Sequence, residues 1–187
     1  MDAIEALDWG VYADFSFKSG KFPVIVPVMH AAEYLSNHVS IGIFLLISLG
    51  LLLAQGKYRS AAVALISFVV SIGLIVAVNF LVPRRRPENA EEWLGPNDMH
   101  GSYPAASVFL FMLTMILIGL AVWSLTQRAS YRALYAAAGT LLTVWVCMSQ
   151  MFLALHFLTD ILGALAGATL MSLLAFKFMD SPSEPEA

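Results

Sequence analysis

Five apolar stretches, at about 39–55, 61–82, 104–126, 133–155 and 157–176, each come near the length a helix needs to cross a bilayer, which is roughly 20 residues. A water-soluble globule has no place for so much apolar surface. Charged residues make up only 12% of the chain against 59% from the set AVILMFWYC, whereas soluble domains carry roughly 25% charge. The fold class that follows is all-α, a polytopic membrane bundle of five to six transmembrane helices.

The segment before residue 39 contains FPVIVPVMHAAEYLSNH, apolar in patches but interrupted by two prolines, two histidines and Glu33. The expected organisation is an interfacial or re-entrant segment over 1–38, a transmembrane bundle over 39–178 and a mobile acidic tail over 179–187. The start, MDAIEALDWGVYADF, has four acids before the first base, Lys18. It lacks the basic start and short apolar core of a signal peptide and is read as part of the mature chain. A net charge of −3 offers no basic field for nucleic acid, so lipid is the expected environment and partner. The single cysteine, Cys147, cannot form an internal disulfide, and His30, Glu33 and His38 lack a metal-binding spacing. No cofactor and no metal are expected.

Because successive spans alternate in direction, the end of 61–82, the start of 104–126, the end of 133–155 and the start of 157–176 share one membrane face. That face gathers Arg84 to Arg86, Ser102 to Ser107, Gln150, His156 and Asp160. Lysines and arginines divide five against five, with Lys57, Arg59, Arg128, Arg132 and Lys177 opposite Lys18, Lys21, Arg84, Arg85 and Arg86. An N-terminal crossing would move Lys18 and Lys21 to the opposite side. The expectation is an inner (plasma) membrane protein with the polar cluster facing outward.

A carboxylate inside the apolar layer costs about 2.5–3.5 kcal/mol on insertion scales, so Asp160 needs a reason. His156 lies four residues earlier, and a helix running through both would set the side chains on one face, where the carboxylate fixes the imidazole tautomer and stabilises its positive charge. That pairing suits a histidine acting as nucleophile or base. The same residues also fit a plain helix start, with Thr159 or Asp160 capping free N–H groups. The arginines of NFLVPRRRP fit either a phosphate fork or a charged stop snorkelling at the interface. Pro104, in GSYPAASVF, suits the first turn of a helix whose N–H groups would face an anion.

The order of these pieces resembles the type-2 phosphatidic acid phosphatase superfamily of membrane lipid phosphatases. Its signature is a lysine, six residues and Arg-Pro; then Pro-Ser-Gly-His; then Ser-Arg, five residues, His, three residues and Asp. Arg86-Pro87 matches the first block, Pro104 opens the second, and Ser149, His156 and Asp160 of SQMFLALHFLTD match the third. The resemblance implies attack by His156 on a lipid phosphate, giving a phosphohistidine that water hydrolyses, with Asp160 orienting the ring, Arg86 holding the phosphate and no metal. Three positions depart from the signature: Asn79 stands for the lysine, Ser107 for the second-block histidine and Gln150 for the third-block arginine. That missing histidine is the family's general acid, a contribution of about 10²- to 10⁴-fold. His100, in the same connection, reads as a surface-loop histidine.

The expected catalytic residues are therefore His156 and Asp160, and the expected substrate-binding residues are Arg86, Ser107, Gln150 and Asn79. The expected function is action on, or binding of, a lipid phosphate or pyrophosphate, with turnover weak or lost. The alternative is a non-catalytic lipid-binding or structural subunit of a membrane complex. Gly163 and Gly167 form a Gly-x-x-x-Gly pattern that serves either an internal contact or a homo-oligomer. Trp123 and Trp145 read as interfacial or packing aromatics.

Overall fold

A computed structural model of the chain describes residues 3–15, 24–87 and 101–180. The described residues form helices α1 (Ala3–Phe15), α2 (Ile25–Leu35), α3 (His38–Ala54), α4 (Tyr58–Leu81), α5 (Ala106–Leu125), α6 (Ala129–Phe152) and α7 (Leu158–Asp180), with no strand among them. Four of these, α4 to α7, have the length and apolarity of a membrane span, and α2 with α3 makes a fifth if the pair, bent by 50°, is counted as one broken span. The chain is an integral, multi-pass membrane protein. The break follows from local chemistry: the Ser36 hydroxyl returns to the Glu33 carbonyl, and Asn37 caps α3 by accepting the Ser40 N–H at 2.8 Å. Both α1 and α2, within the 1–38 segment, lie at the end of the bundle that carries His156.

Helix α5 is the axis, touched by α3, α4, α6 and α7. It buries Val108, Phe109, Phe111, Leu113 and Leu117. The helices around it reverse the pattern of a soluble protein. On α4 the buried stripe is Ala61, Ala64, Ser67, Ser71 and Ile75, while Ile66, Val69 and Val76 point outward; on α7 it is Ala164, Ala168, Ser172 and Ala175, with Leu170 and Leu173 outside. Lipid solvates large apolar side chains as well as a protein core does, so helix association rests on close packing of small residues. Two buried hydroxyls bond within their own helices, Ser71 on the Ser67 carbonyl and Ser172 on the Ala168 carbonyl, both at 2.7 Å, whereas the buried Ser48 hydroxyl of α3 makes no hydrogen bond among the described residues. At the end away from His156, Gln55 ties α3 to α5 by accepting the Ser124 hydroxyl at 2.6 Å.

The Gly-x-x-x-Gly stripe of α7 is used internally. A Cβ on Gly163 would fall 2.5 Å from Tyr103 Cε2, and one on Gly167 2.5 Å from Phe109 Cε2. Phe109 is buried and hemmed in by the core, so it cannot yield. Gly167→Ala is expected to lower the thermal midpoint, because overpacking costs about 1–3 kcal/mol against a helix-propensity gain of at most about 1 kcal/mol. Gly73→Ala, with nothing within 4 Å of the new methyl, keeps only the gain. Opposite signs of the shift, measured by tryptophan fluorescence in detergent, are the expected result.

Candidate active site

The site begins where α6 stops. Ala154 takes a left-handed conformation, φ 57°, and around it the Ala154 N–H bonds the Met151 carbonyl at 3.1 Å while the Leu155 N–H bonds the Gln150 carbonyl at 2.9 Å. This is the paired hydrogen-bond pattern that closes many helices, with alanine where glycine is usual. The consequence corrects one expectation: His156 lies not on a helix with Asp160 but in the turn between α6 and α7. The chain reverses there, and Asp160 enters from the first turn of α7.

His156 and Asp160 are both buried, yet they do not bond directly. His156 Nδ1 stands 3.8 Å from Asp160 Oδ2, beyond hydrogen-bond reach. The Ser102 hydroxyl sits between them: it donates a short hydrogen bond to Asp160 Oδ2 and lies 3.4 Å from His156 Nδ1. On the other edge of the ring, Arg86 Nη1 is 2.9 Å from Nε2 and 3.1 Å from the Leu155 carbonyl. Arginine only donates, so Nε2 is the acceptor and Nδ1 carries the hydrogen. The imidazole is thereby held as the tautomer whose lone pair faces Arg86.

Asp160 also answers the plainer reading of these residues, because its Oδ2 accepts the Phe157 N–H at 3.1 Å and so caps α7. Its other oxygen accepts from Arg84 Nη1 at 2.8 Å. Arg84 then reaches α1, donating a short bond to Asp8, whose carboxylate in turn takes the Thr159 N–H at 3.0 Å and the Thr159 hydroxyl at 2.6 Å. Trp9 packs edge-on against Phe157 with ring centroids 5.3 Å apart, and the Arg84 guanidinium lies 4.7 Å from the same ring. Helix α1 is thus fastened over the start of α7. The sequence carries no local signal that joins Asp8 to Arg84 and Thr159 or Ser102 to Asp160; the shared membrane face grouped Arg84 and Ser102 but not Asp8.

The remaining expected site residues are placed as follows. Arg86 meets His156, as above. Ser107, half-buried, is the second residue of α5, and no hydrogen bond joins it to His156 or Asp160. Gln150 is buried with its amide turned to the Ser36 hydroxyl at 3.4 Å, while its backbone carbonyl anchors the His156 turn. Asn79 lies near the end of α4 with a buried Oδ1 that accepts no hydrogen bond among the described residues, against Gly101. Pro104 precedes α5 rather than opening its first turn: Ala105 is the N-cap, extended, with its N–H on the Asp160 carbonyl at 3.1 Å. His100 lies outside the described residues.

No protein-family model and no curated protein matches the sequence. Solved structures do. The PAP2-type phosphatidylglycerolphosphate phosphatase from Bacillus subtilis superposes with a TM-score of 0.81 at 18% identity, over 98% of this chain and 90% of that one. LpxE from Aquifex aeolicus gives 0.67 at 12% identity, over 95% of this chain and 99% of that one. The chain has the PAP2 lipid phosphatase fold. In this PAP2 fold the ends of α4 and α6 and the starts of α5 and α7 converge on His156, the same convergence that alternating spans require.

Burial pushes His156 below the ordinary histidine range; Asp160 opposes that shift and Arg86 adds to it. The folded state therefore binds this proton less readily than the unfolded chain. Stability is fully present above the unfolded value, about 6.5, and falls as the pH drops through it towards the lower folded value. Thermal midpoints from pH 7 downward should show that decline, and His156→Gln should flatten it. Asp8→Ala is expected to cost about 1–3 kcal/mol, since it strips partners from Arg84 and the Thr159 N–H; the same midpoint assay reads it.

Proposed function

We propose that the chain is a divergent lipid phosphohydrolase that forms a phosphohistidine on His156. The observation that carries this reading is the polarity of the His156 ring: Nε2 faces Arg86 at 2.9 Å while Nδ1 faces Ser102 and, through it, Asp160. A phosphate drawn to the Arg86 fork arrives in front of the nucleophilic nitrogen. As Nε2 attacks phosphorus, the P–O bond to the lipid alcohol breaks with its electron pair staying on that oxygen, which takes a proton from solvent water, and the Ser102–Asp160 pair stabilises the positive charge that grows on the ring. Water then attacks the phosphohistidine, releasing phosphate and restoring the neutral ring. A lipid monophosphate or pyrophosphate is the substrate class, in keeping with a site at one end of a membrane bundle and with the phosphatidylglycerolphosphate phosphatase whose fold it shares. The reading also places the site on the outward side of the plasma membrane. In support, among the described residues Lys57, Arg59, Arg128, Arg132 and Lys177 lie at the other end, against Arg84, Arg85 and Arg86 at the site's end.

Turnover should be slow. Asn79, Ser107 and Gln150 replace two cations and a proton donor, and losing a single transition-state donor costs about 10²- to 10³-fold. The orientation of Gln150 towards Ser36 favours one competing reading, a site that holds a phosphorylated headgroup without cleaving it. Phosphate release from purified protein over a panel of lipid phosphates and pyrophosphates separates the two. His156→Ala should reduce release to the buffer rate, and Arg86→Ala should lower it by about 10²- to 10³-fold. Release unchanged in His156→Ala would sink the hydrolase; binding of a lipid phosphate without release, weakened by Arg86→Ala, would establish the headgroup site.

A further inference from the structure

Helices α5 and α6 do not close on each other along their whole length. Between them, with Leu165 of α7 at one side, runs an open apolar groove of about 570 Å³. Tyr135 spaces the two helices: its hydroxyl donates to the Met115 carbonyl at 2.6 Å, and its ring packs beside Gly119. The α6 wall is made of small residues, Ala136, Gly139, Thr140 and Thr143. On α4 and α7 such small residues are where another helix packs, but here Ala136 and Thr140 are exposed. From Arg132 to Met148, both in the groove wall, α6 rises about 24 Å at about 1.5 Å per residue. Half of a bilayer's hydrocarbon layer is about 15 Å deep, so the groove is long enough for one extended acyl chain.

The end of the groove away from His156 carries the charge. There Arg132 lies beside Trp123, its guanidinium 4.3 Å from the ring centre. Nε donates to the Thr126 carbonyl at 2.8 Å, and Nη2 to the Trp123 carbonyl at 2.9 Å and the Gln127 side-chain oxygen at 3.0 Å. These bonds finish α5 and hold the guanidinium in place, yet all three acceptors are neutral. Among the described residues Nη1 makes no hydrogen bond, and no carboxylate pairs with Arg132 or with Arg128, exposed one turn earlier. Arg84, at the site's end, is by contrast paired with two carboxylates.

We propose that this groove binds an anionic phospholipid of the leaflet away from His156, with an acyl chain between α5 and α6 and the headgroup phosphate on Arg132 and Arg128. A guanidinium with donors left over suits a phosphate oxygen, and Trp123 marks the headgroup level at which indole rings settle. The apolar groove accepts any hydrocarbon chain; the two unpaired arginines select a headgroup of net negative charge. The phosphate sits at the end of the bundle opposite His156, so this lipid is a resident one and not a substrate. It fills the space between α5 and α6, the helix whose end forms the His156 turn, and its binding does not depend on the reaction proposed for that residue.

The test is native mass spectrometry of the full chain in detergent with equal amounts of dioleoyl phosphatidylglycerol and dioleoyl phosphatidylcholine, which share their chains and differ in net charge. The wild type should retain phosphatidylglycerol about 5- to 25-fold over phosphatidylcholine, since each basic residue near a headgroup contributes about 5-fold. Arg128→Gln should lower that preference by about 5-fold, and Arg128→Gln with Arg132→Gln should abolish it. Gly139→Leu should lose both lipids, because its side chain enters the groove from a position where a Cβ meets only Tyr135, at 3.9 Å. That variant keeps both arginines and so tests the site even if the double variant does not fold. Equal retention of the two lipids by the wild type, a preference that outlives both arginines, or retention unchanged in Gly139→Leu would each overturn the proposal. So would a dimer, seen in lipid-free protein and removed by Gly139→Leu, which would assign the groove to a second copy of the chain.

Discussion

A carboxylate sealed from solvent at the end of a membrane bundle must be given donors, and the donors given to Asp160 organise the whole site. Its two oxygens take Arg84, the Ser102 hydroxyl and the Phe157 N–H, and its backbone carbonyl takes the Ala105 N–H. Each bond fixes a different piece of chain: Arg84 the exit from α4, Ser102 and Ala105 the approach to α5, Phe157 the start of α7. His156 then inherits its place, since the serine that answers Asp160 is the one that faces the ring. Removing water from these groups makes every unpaired atom expensive, so a site assembled this way is rigid as a consequence of its satisfaction.

The bundle beneath can support such a site because its packing is driven by fit rather than by hydrophobic collapse. Small residues on the inner stripes of α4 and α7 let those helices close on α5, and Tyr103 and Phe109 fill the space left by Gly163 and Gly167. Tyr103 is one residue from Ser102, so the seat that glycine provides on α7 also fixes the height at which the serine meets Asp160. Helix α1 adds a second clasp from outside. Asp8 engages both Arg84 and Thr159, so the ion pair that neutralises the arginine also closes the open N–H of α7.

The spans and their shared face were legible because both depend on periodic, local properties. Apolar length marks a crossing, and alternation of direction alone brings Arg86, His156 and Asp160 to one end; α3 to α7 begin and end within a few residues of the apolar runs. The turn that carries His156 was not legible. Alanine is the best helix former, and nothing in SQMFLALHFLTD announces that Ala154 adopts a left-handed conformation. Nor was Asp8, whose partners lie 76 and 151 residues away; a lone acid in an apolar helix becomes intelligible only when the fold supplies its cation. Ser102 belonged to the right face but had no spacing relation to His156 that would single it out among the polar residues there.

On the proposed phosphohydrolase reading, the charges at the site bear on which phosphates it accepts. Arg84 and Arg86 bring two positive charges, Asp8 and Asp160 two negative ones, and three of these four are committed to one another. On that reading, a phosphate approaching His156 meets Arg86 beside Nε2, while Arg84 is already engaged by the two carboxylates. Stripping water from a phosphate dianion is costly, and one guanidinium in a partly buried setting offsets only a part of that cost. On the proposed reading the remainder comes from elsewhere on the substrate, and apolar surroundings at a membrane site would supply it to a molecule with a hydrocarbon body and not to a small soluble phosphate. On the same reading, the burial that disfavours a charged His156 works in the same direction: it favours a free lone pair for attack but withholds a third positive charge from the phosphate, so binding would depend more heavily still on the lipid portion.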